Sequence, residues 1–265
     1  MIKFSSFIST ILLSLLAVSQ PKKGLDFPLG EQITFKISYG WFALGEATMS
    51  LADSLIVRGD QTFYHSYIDA HTIGLFSWLG GVQNEYWGYV NTSNYKTIVS
   101  EKHLDERKGK FDQWNTFDYD KMQTYVKMMD YTKEYPKKEV TVDLNDKSYD
   151  LHGTYMYLRS KLWSGFKPGE SILLNTYWED KLYDFGMEYG GKEKIKFDGQ
   201  RVEVHKFYGL FPISRTFPKE KAVVVWVLEK DGMGIPLVIE ADMKIGKVRC
   251  ELKEYSIRGN TQSLF

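Results

Sequence analysis

Cysteine is almost absent: Cys250 is the only one in 265 residues, so no intramolecular disulfide can staple the chain and no cysteine-based zinc site can form. A surplus of one charge is also missing. Thirty-four Lys and Arg against 34 Asp and Glu leave a formal net charge of zero, which withholds the basic footprint a nucleic-acid binder needs. Beyond the first nineteen residues no run is long and apolar enough for a membrane-spanning helix, which takes about 20 residues. The Gly-x-Ser-x-Gly elbow, a phosphate-cradling Gly-rich loop and a dinucleotide fingerprint are absent, so hydrolase, kinase and dehydrogenase readings lose their sequence support. The five histidines, His65, His71, His103, His152 and His205, offer no pair at the i, i+4 spacing of a helical zinc site. No metal, cofactor or catalytic residue is predicted. Nor does any Pro-, Gly- or Ser-rich linker mark independent domains.

What is present begins with an export signal. Met1 to Ser19 opens on Lys3, runs apolar from Phe4 to Val18, and places Ala17 and Ser19 three and one residues before a cleavage point ahead of Gln20. The mature chain, residues 20–265, reads as a single soluble β domain, with a division into two lobes near Asp150 as the alternative.

Aromatic residues are abundant, at 7 Trp, 18 Tyr and 16 Phe, and they suit pleated sheets, cores and ligand pockets alike. Period-two patterning dominates. Ile33, Phe35, Ile37 and Tyr39 share one face of a strand while Gln32, Thr34, Lys36 and Ser38 share the other. Further strands are read over 62–71, 85–91, 96–104, 110–119, 122–131 and 139–144. Asp198-Gly199 predicts a two-residue hairpin, and Ala222 to Leu228 a central strand covered on both sides. Only Asp150 to Leu162 breaks the pattern: Leu151, Tyr155, Leu158 and Leu162 fall at helical spacing behind an Asp150 cap, although Gly153 weakens a helix by about 1 kcal/mol relative to Ala. The fold class is therefore mainly β: a curved antiparallel sheet forming a closed or partly open barrel, lipocalin-like or LolA-like by analogy, or two joined half-barrels, with one helix near 150–162. Cys250 is expected to act as a small buried hydrophobe on its strand.

Several landmarks in order resemble the exported family catalogued as domain of unknown function 3108: Gly30-Glu31, Gly45-Glu46, the helix ending Tyr157-Leu158-Arg159, Pro168-Gly169-Glu170, and the late series Val225 to Leu228, Asp231, Ile235-Pro236 and Gly246. The resemblance covers nearly all of the mature chain. It implies a mostly β protein of the periplasm or cell envelope of a Gram-negative-type bacterium, and it implies no particular activity. Gly153, Tyr155 and Met156 depart from the smaller polar residues expected in the helix.

One segment stands out as a candidate site. Ile73 to Val82 is rich in turn residues yet apolar, whereas connections that merely cross a surface are usually polar. Phe76, Trp78 and Leu79, with Trp41 and Phe42 from the first hairpin connection, are read as ligand-binding residues that line or gate an apolar cavity. The same loop could instead close a barrel end, or meet a membrane or protein partner. The preferred function is a non-catalytic envelope protein that binds a lipid or lipid-linked glycan. The alternative is a protein-protein interaction or envelope assembly factor with a filled core. A glycan-active enzyme comes third, with Glu101, Asp105, Glu106, Glu179 and Asp180 as acids and Tyr177-Trp178 as a sugar platform.

Overall fold

The computed structural model describes residues 26–78, 81–107, 109–161, 165–178, 181–211, 213, 219–244 and 246–265. The proposed export signal and Leu79 lie outside that set, as do the side chains of Phe76 and Trp178. The first half of the chain forms β1 (Glu31–Tyr39), β2 (Phe42–Leu51), β3 (Ile56–Arg58), β4 (Gln61–Thr72), a short helix α1 (Leu75–Trp78), β5 (Gln83–Asn91), β6 (Thr97–Glu106), β7 (Gly109–Asp118), β8 (Gln123–Asp130) and β9 (Lys137–Asp143). The second half forms β10 (Ser148–Tyr149), α2 (Leu151–Arg159), β11 (Ser171–Trp178), β12 (Lys181–Phe197), β13 (Gln200–Leu210), β14 (Val223–Lys230), β15 (Met233–Met243), β16 (Gly246–Ile257) and β17 (Asn260–Thr261).

Turn chemistry sets the hairpins. Asp198 and Gly199 both have positive φ, 46° and 77°, as do Asp231 and Gly232, which is the backbone twist that two-residue hairpins need. Gly40, at φ 56°, lets β1 return into β2 through a turn with Trp41 at its apex.

These hairpins make two antiparallel meanders. One runs β2-β4-β5-β6-β7-β8-β9 across the sheet, and the other runs β16-β15-β14-β13-β12-β11. Strand β1 joins them by pairing with β2 on one side and β16 on the other, with Glu31 opposite Ile257. At the far edge of the second meander, β10 pairs in parallel with β11. The result is one large curved sheet that does not close, so the sequence reading is settled in favour of its open form. Its two edges, β9 and β10, are neighbours in the chain. Side chains bridge the seam between them: Tyr177 of β11 packs with Phe117, Val126, Met128 and Leu144.

Alternation of direction places the connections on two rims. The turns after β1, β4, β6, β8, β11, β13 and β15 form one rim, and those after β2, β5, β7, β9, β12 and β14 form the other. Helix α2 seals the second rim. Its Met156 is buried among Phe27, Leu51, Tyr64, Val90, Tyr95, Leu174 and Met233, residues drawn from around the whole sheet. The helix is shorter than the sequence pattern suggests. It ends at Arg159, where the Lys161 N–H turns to Leu158 O in place of Tyr157 O and the Ser160 hydroxyl donates to Tyr157 O at 2.7 Å. A separate core forms where the β12–β13 hairpin runs past the end of its ladder with β14: Ile195, Phe197, Val202 and Val204 pack on Ile33, Phe35, Ile235, Leu237 and Leu252.

Candidate functional site

The sealed rim is held by buried polar groups. Arg159, the last helical residue, donates Nη1 to Glu31 Oε2 at 2.6 Å and Nη2 to Glu31 Oε1 at 2.8 Å. Its Nε donates to Gly234 O at 2.9 Å. This two-pronged geometry satisfies a charge pair that would otherwise be costly to bury. At the other helix end, Asp150 Oδ1 accepts the Gly153 N–H at 2.8 Å and the Thr97 hydroxyl at 2.5 Å. Glu31, Arg159, Gly30 at φ 76° and Gly246 at φ 120° all belong to the landmarks that carry the family resemblance, and all of them build the fold.

Above the helix the concave face changes character. Nearest α2 lies a polar layer. Gln113 donates Nε2 to Asn115 Oδ1 at 2.8 Å, and Asn115 donates Nδ2 to Ser100 Oγ at 3.1 Å. Tyr177 donates its hydroxyl to Asn115 Oδ1 at 3.4 Å, and His152 Nδ1 sits 3.0 Å from Ser66 Oγ. A cavity of about 30 Å³ lies among these groups, room for a single water. Complete burial holds the His152 imidazolium below its ordinary pKa despite the nearby Asp150 charge. Closer to the unsealed rim the same face turns apolar. A hollow of about 500 Å³ opens there, lined by Leu104, Phe111, Met128, Tyr135 and Pro136, with Asp130, Lys133 and Lys138 around it. Lys102, buried between the two layers, holds its ammonium 5.0 Å from the centre of the Phe111 ring.

Three of the five residues singled out in the sequence have described side chains, and all three stand on the unsealed rim. Trp41 is 85% exposed and Phe42 44%, their rings stacked with centroids 3.7 Å apart. Trp78 is 81% exposed at the end of α1, and Ile73 N donates to Leu44 O, which sets α1 beside the start of β2. A loop that plugged the barrel would bury Trp78; the plug is α2, at the opposite rim. None of these three lines the 500 Å³ hollow. The residues that do line it read in the sequence as ordinary half-buried strand positions. The one available signal was the aromatic turn Tyr131 to Pro136, whose Tyr135 is 82% exposed.

The remaining chemical candidates are otherwise engaged. His103 bridges Asp112, 2.8 Å from Nδ1, and Glu101, 3.1 Å from Nε2. Partial burial pulls its pKa down, but the two carboxylates raise it overall. Asp105 pairs with Lys110 at 2.7 Å, and Glu106 accepts from Asn84 Nδ2 at 3.0 Å. Tyr177 is buried in the seam and presents no platform to solvent, while Glu179 and Asp180 lie outside the described residues. His65 and His71 take different partners, Tyr67 OH and Asp69 Oδ1. Cys250 is partly buried, and desolvation raises its thiol pKa, which suits a packing role.

A β-barrel-like sheet, left open along one seam and stoppered at one rim by its own helix, is the class these features define. The chain belongs to the family described as Protein of unknown function (DUF3108), which matches residues 34–253. In shape it is similar to the crystal structure of a β-barrel-like protein of domain of unknown function DUF1849 from Brucella abortus, with a TM-score of 0.53 over 88% of this chain and 99% of that one. Sequence identity between the two is 11%, so the likeness concerns the fold. No curated protein matches the chain.

Proposed function

We propose that this is an exported, non-catalytic cell-envelope protein that holds an apolar or amphipathic ligand, a lipid or lipid-linked glycan, on its concave face. One observation carries the reading. The two rims are unlike: α2 fills one, while the other opens on a hollow of about 500 Å³ lined by Leu104, Phe111 and Met128. That volume falls within the range of about 300–1,000 Å³ usual for small-molecule sites. The polar layer of Ser100, Gln113 and Asn115 beneath it favours a ligand with both an apolar and a polar part. The signal-like pattern of Met1 to Ser19, a lone cation, an apolar run and small residues before a cleavage point, supports the compartment.

Native mass spectrometry of the protein purified from its own envelope tests the reading. A bound lipid-sized adduct is expected on the wild type, and it should fall at least tenfold in Leu104→Trp, whose indole would occupy the hollow while leaving the melting temperature nearly unchanged. A bare wild-type protein, or an adduct that survives Leu104→Trp, would overturn it.

A further inference from the structure

The large apolar side chains that this molecule leaves exposed are unevenly placed. Trp41, Phe42 and Trp78 stand on adjacent connections of the open rim, and Tyr131, Tyr135 and Ile213, exposed by 54%, 82% and 64%, stand on other connections of the same rim. Leaving six such groups in contact with water is unfavourable, and Trp and Tyr are the side chains that settle where an apolar phase meets water. Charge follows the same division. Among the described residues, open-rim connections carry Arg107, Lys133, Lys219, Lys221 and Lys244 against Glu134 and Glu220, whereas the turns of the sealed rim carry Asp53, Asp60, Asp120, Asp146, Asp198 and Asp231 against Lys96, Lys121, Lys147 and Arg258, so the balance of charge reverses between the two ends. Three of the open-rim lysines also meet carboxylates, Asp130, Asp242 and Glu188, while Arg107 and Lys244 lie exposed outside those pairs.

From this placement we infer that the open rim docks on an anionic lipid bilayer, with Trp41, Phe42 and Trp78 seated among the headgroups and the rim cations facing the lipid charge. The neutral chain reaches an anionic surface by being polarised, basic at the aromatic end and acidic at the other. Docking in this orientation turns the mouth of the 500 Å³ hollow toward the bilayer. The inference goes beyond the ligand-holding reading and shares with it only the identity of the mouth.

The test uses the mature protein and sucrose-loaded vesicles of phosphatidylcholine alone or with one quarter phosphatidylglycerol. The wild type is expected to sediment with the anionic vesicles at least tenfold better than with the neutral ones, and less so as salt is raised. Trp41→Ser with Trp78→Ser should cut that binding about tenfold or more at an unchanged melting temperature, and Arg107→Glu with Lys244→Glu should act similarly. Val57→Ser, which removes an exposed apolar group from the sealed end, should bind like the wild type. Failure of the wild type to sediment, equal binding by the double Trp variant, or a rim that captures a protein and ignores vesicles would overturn the inference. Leu104→Trp separates the two proposals, since it should lose the ligand adduct and keep vesicle binding.

Discussion

Two buried residues of the sealed rim show how single side chains carry this fold. Arg159 and Glu31 are 128 positions apart, yet their heads form both prongs of one ion pair away from water. His152 is completely buried and its pKa is lowered, chiefly by desolvation. The unfolded chain therefore takes up a proton near the ordinary value of about 6.5 before the folded one does. The contribution of His152 to stability is complete above that pH and is lost as the pH falls through it toward the folded value. Denaturant titrations at pH 7.5 and 5.5 should show the wild type losing about 1 kcal/mol more than His152→Gln, which can still bond to Ser66. Little of this was legible in the sequence. The Gly30-Glu31 and Tyr157-Leu158-Arg159 landmarks were visible as text, but nothing in the spacing could say that Glu31 and Arg159 meet, because that contact depends on how a whole sheet curves.

At the scale of elements, period two and turn chemistry recovered most strands of 8 or more residues, and the Asp198-Gly199 hairpin formed as its composition demanded. What escaped was short or masked by context. Strand β3 has three residues and β10 two, too few for any period. The first part of β12 was missed because glycines break its alternation, and its bulge between Tyr189 and Gly191 shifts the register there. Helix α2 was found, but the meaning of Gly153 was inverted. In isolation Gly is a weakness there; in the fold a Cβ at that position would stand 2.4 Å from Tyr95 O. Gly153→Ala, which helix propensity alone would score as stabilising by about 1 kcal/mol, is expected instead to destabilise by about 1–3 kcal/mol in urea unfolding. Met156, out of place as a surface residue, is the centre of the stopper.

For the whole molecule, the sequence conveyed curvature and aromatic connections but could not say which connections share a rim. That depends on strand direction counted through the complete ladder, and it separates the residues that line the hollow from those that ring it. The open seam belongs to this scale as well. Strand β9 pairs with β8 on one side, and its solvent-facing charges, Lys137, Lys138 and Glu139 among them, blunt the remaining edge. Amide hydrogen exchange should find the seam-facing N–H groups of β9 exchanging well before those of β1 and β16, which are flanked by ladders on both sides; equal protection would mean that the seam is shut in solution.

Strand β1 has a further consequence, in the timing of folding. Each meander is assembled from hairpins between consecutive strands, which close quickly because little chain separates their partners. The ladder of β1 with β16 is different in kind, since Glu31 lies opposite Ile257 and Arg159 must also have arrived to receive the Glu31 carboxylate. The earliest of the described strands to be synthesised is thus one whose second partner is among the last of them. Until β16 follows, β1 presents an open edge with Ile33 and Phe35 uncovered, and that interval is when the chain is most in need of a chaperone.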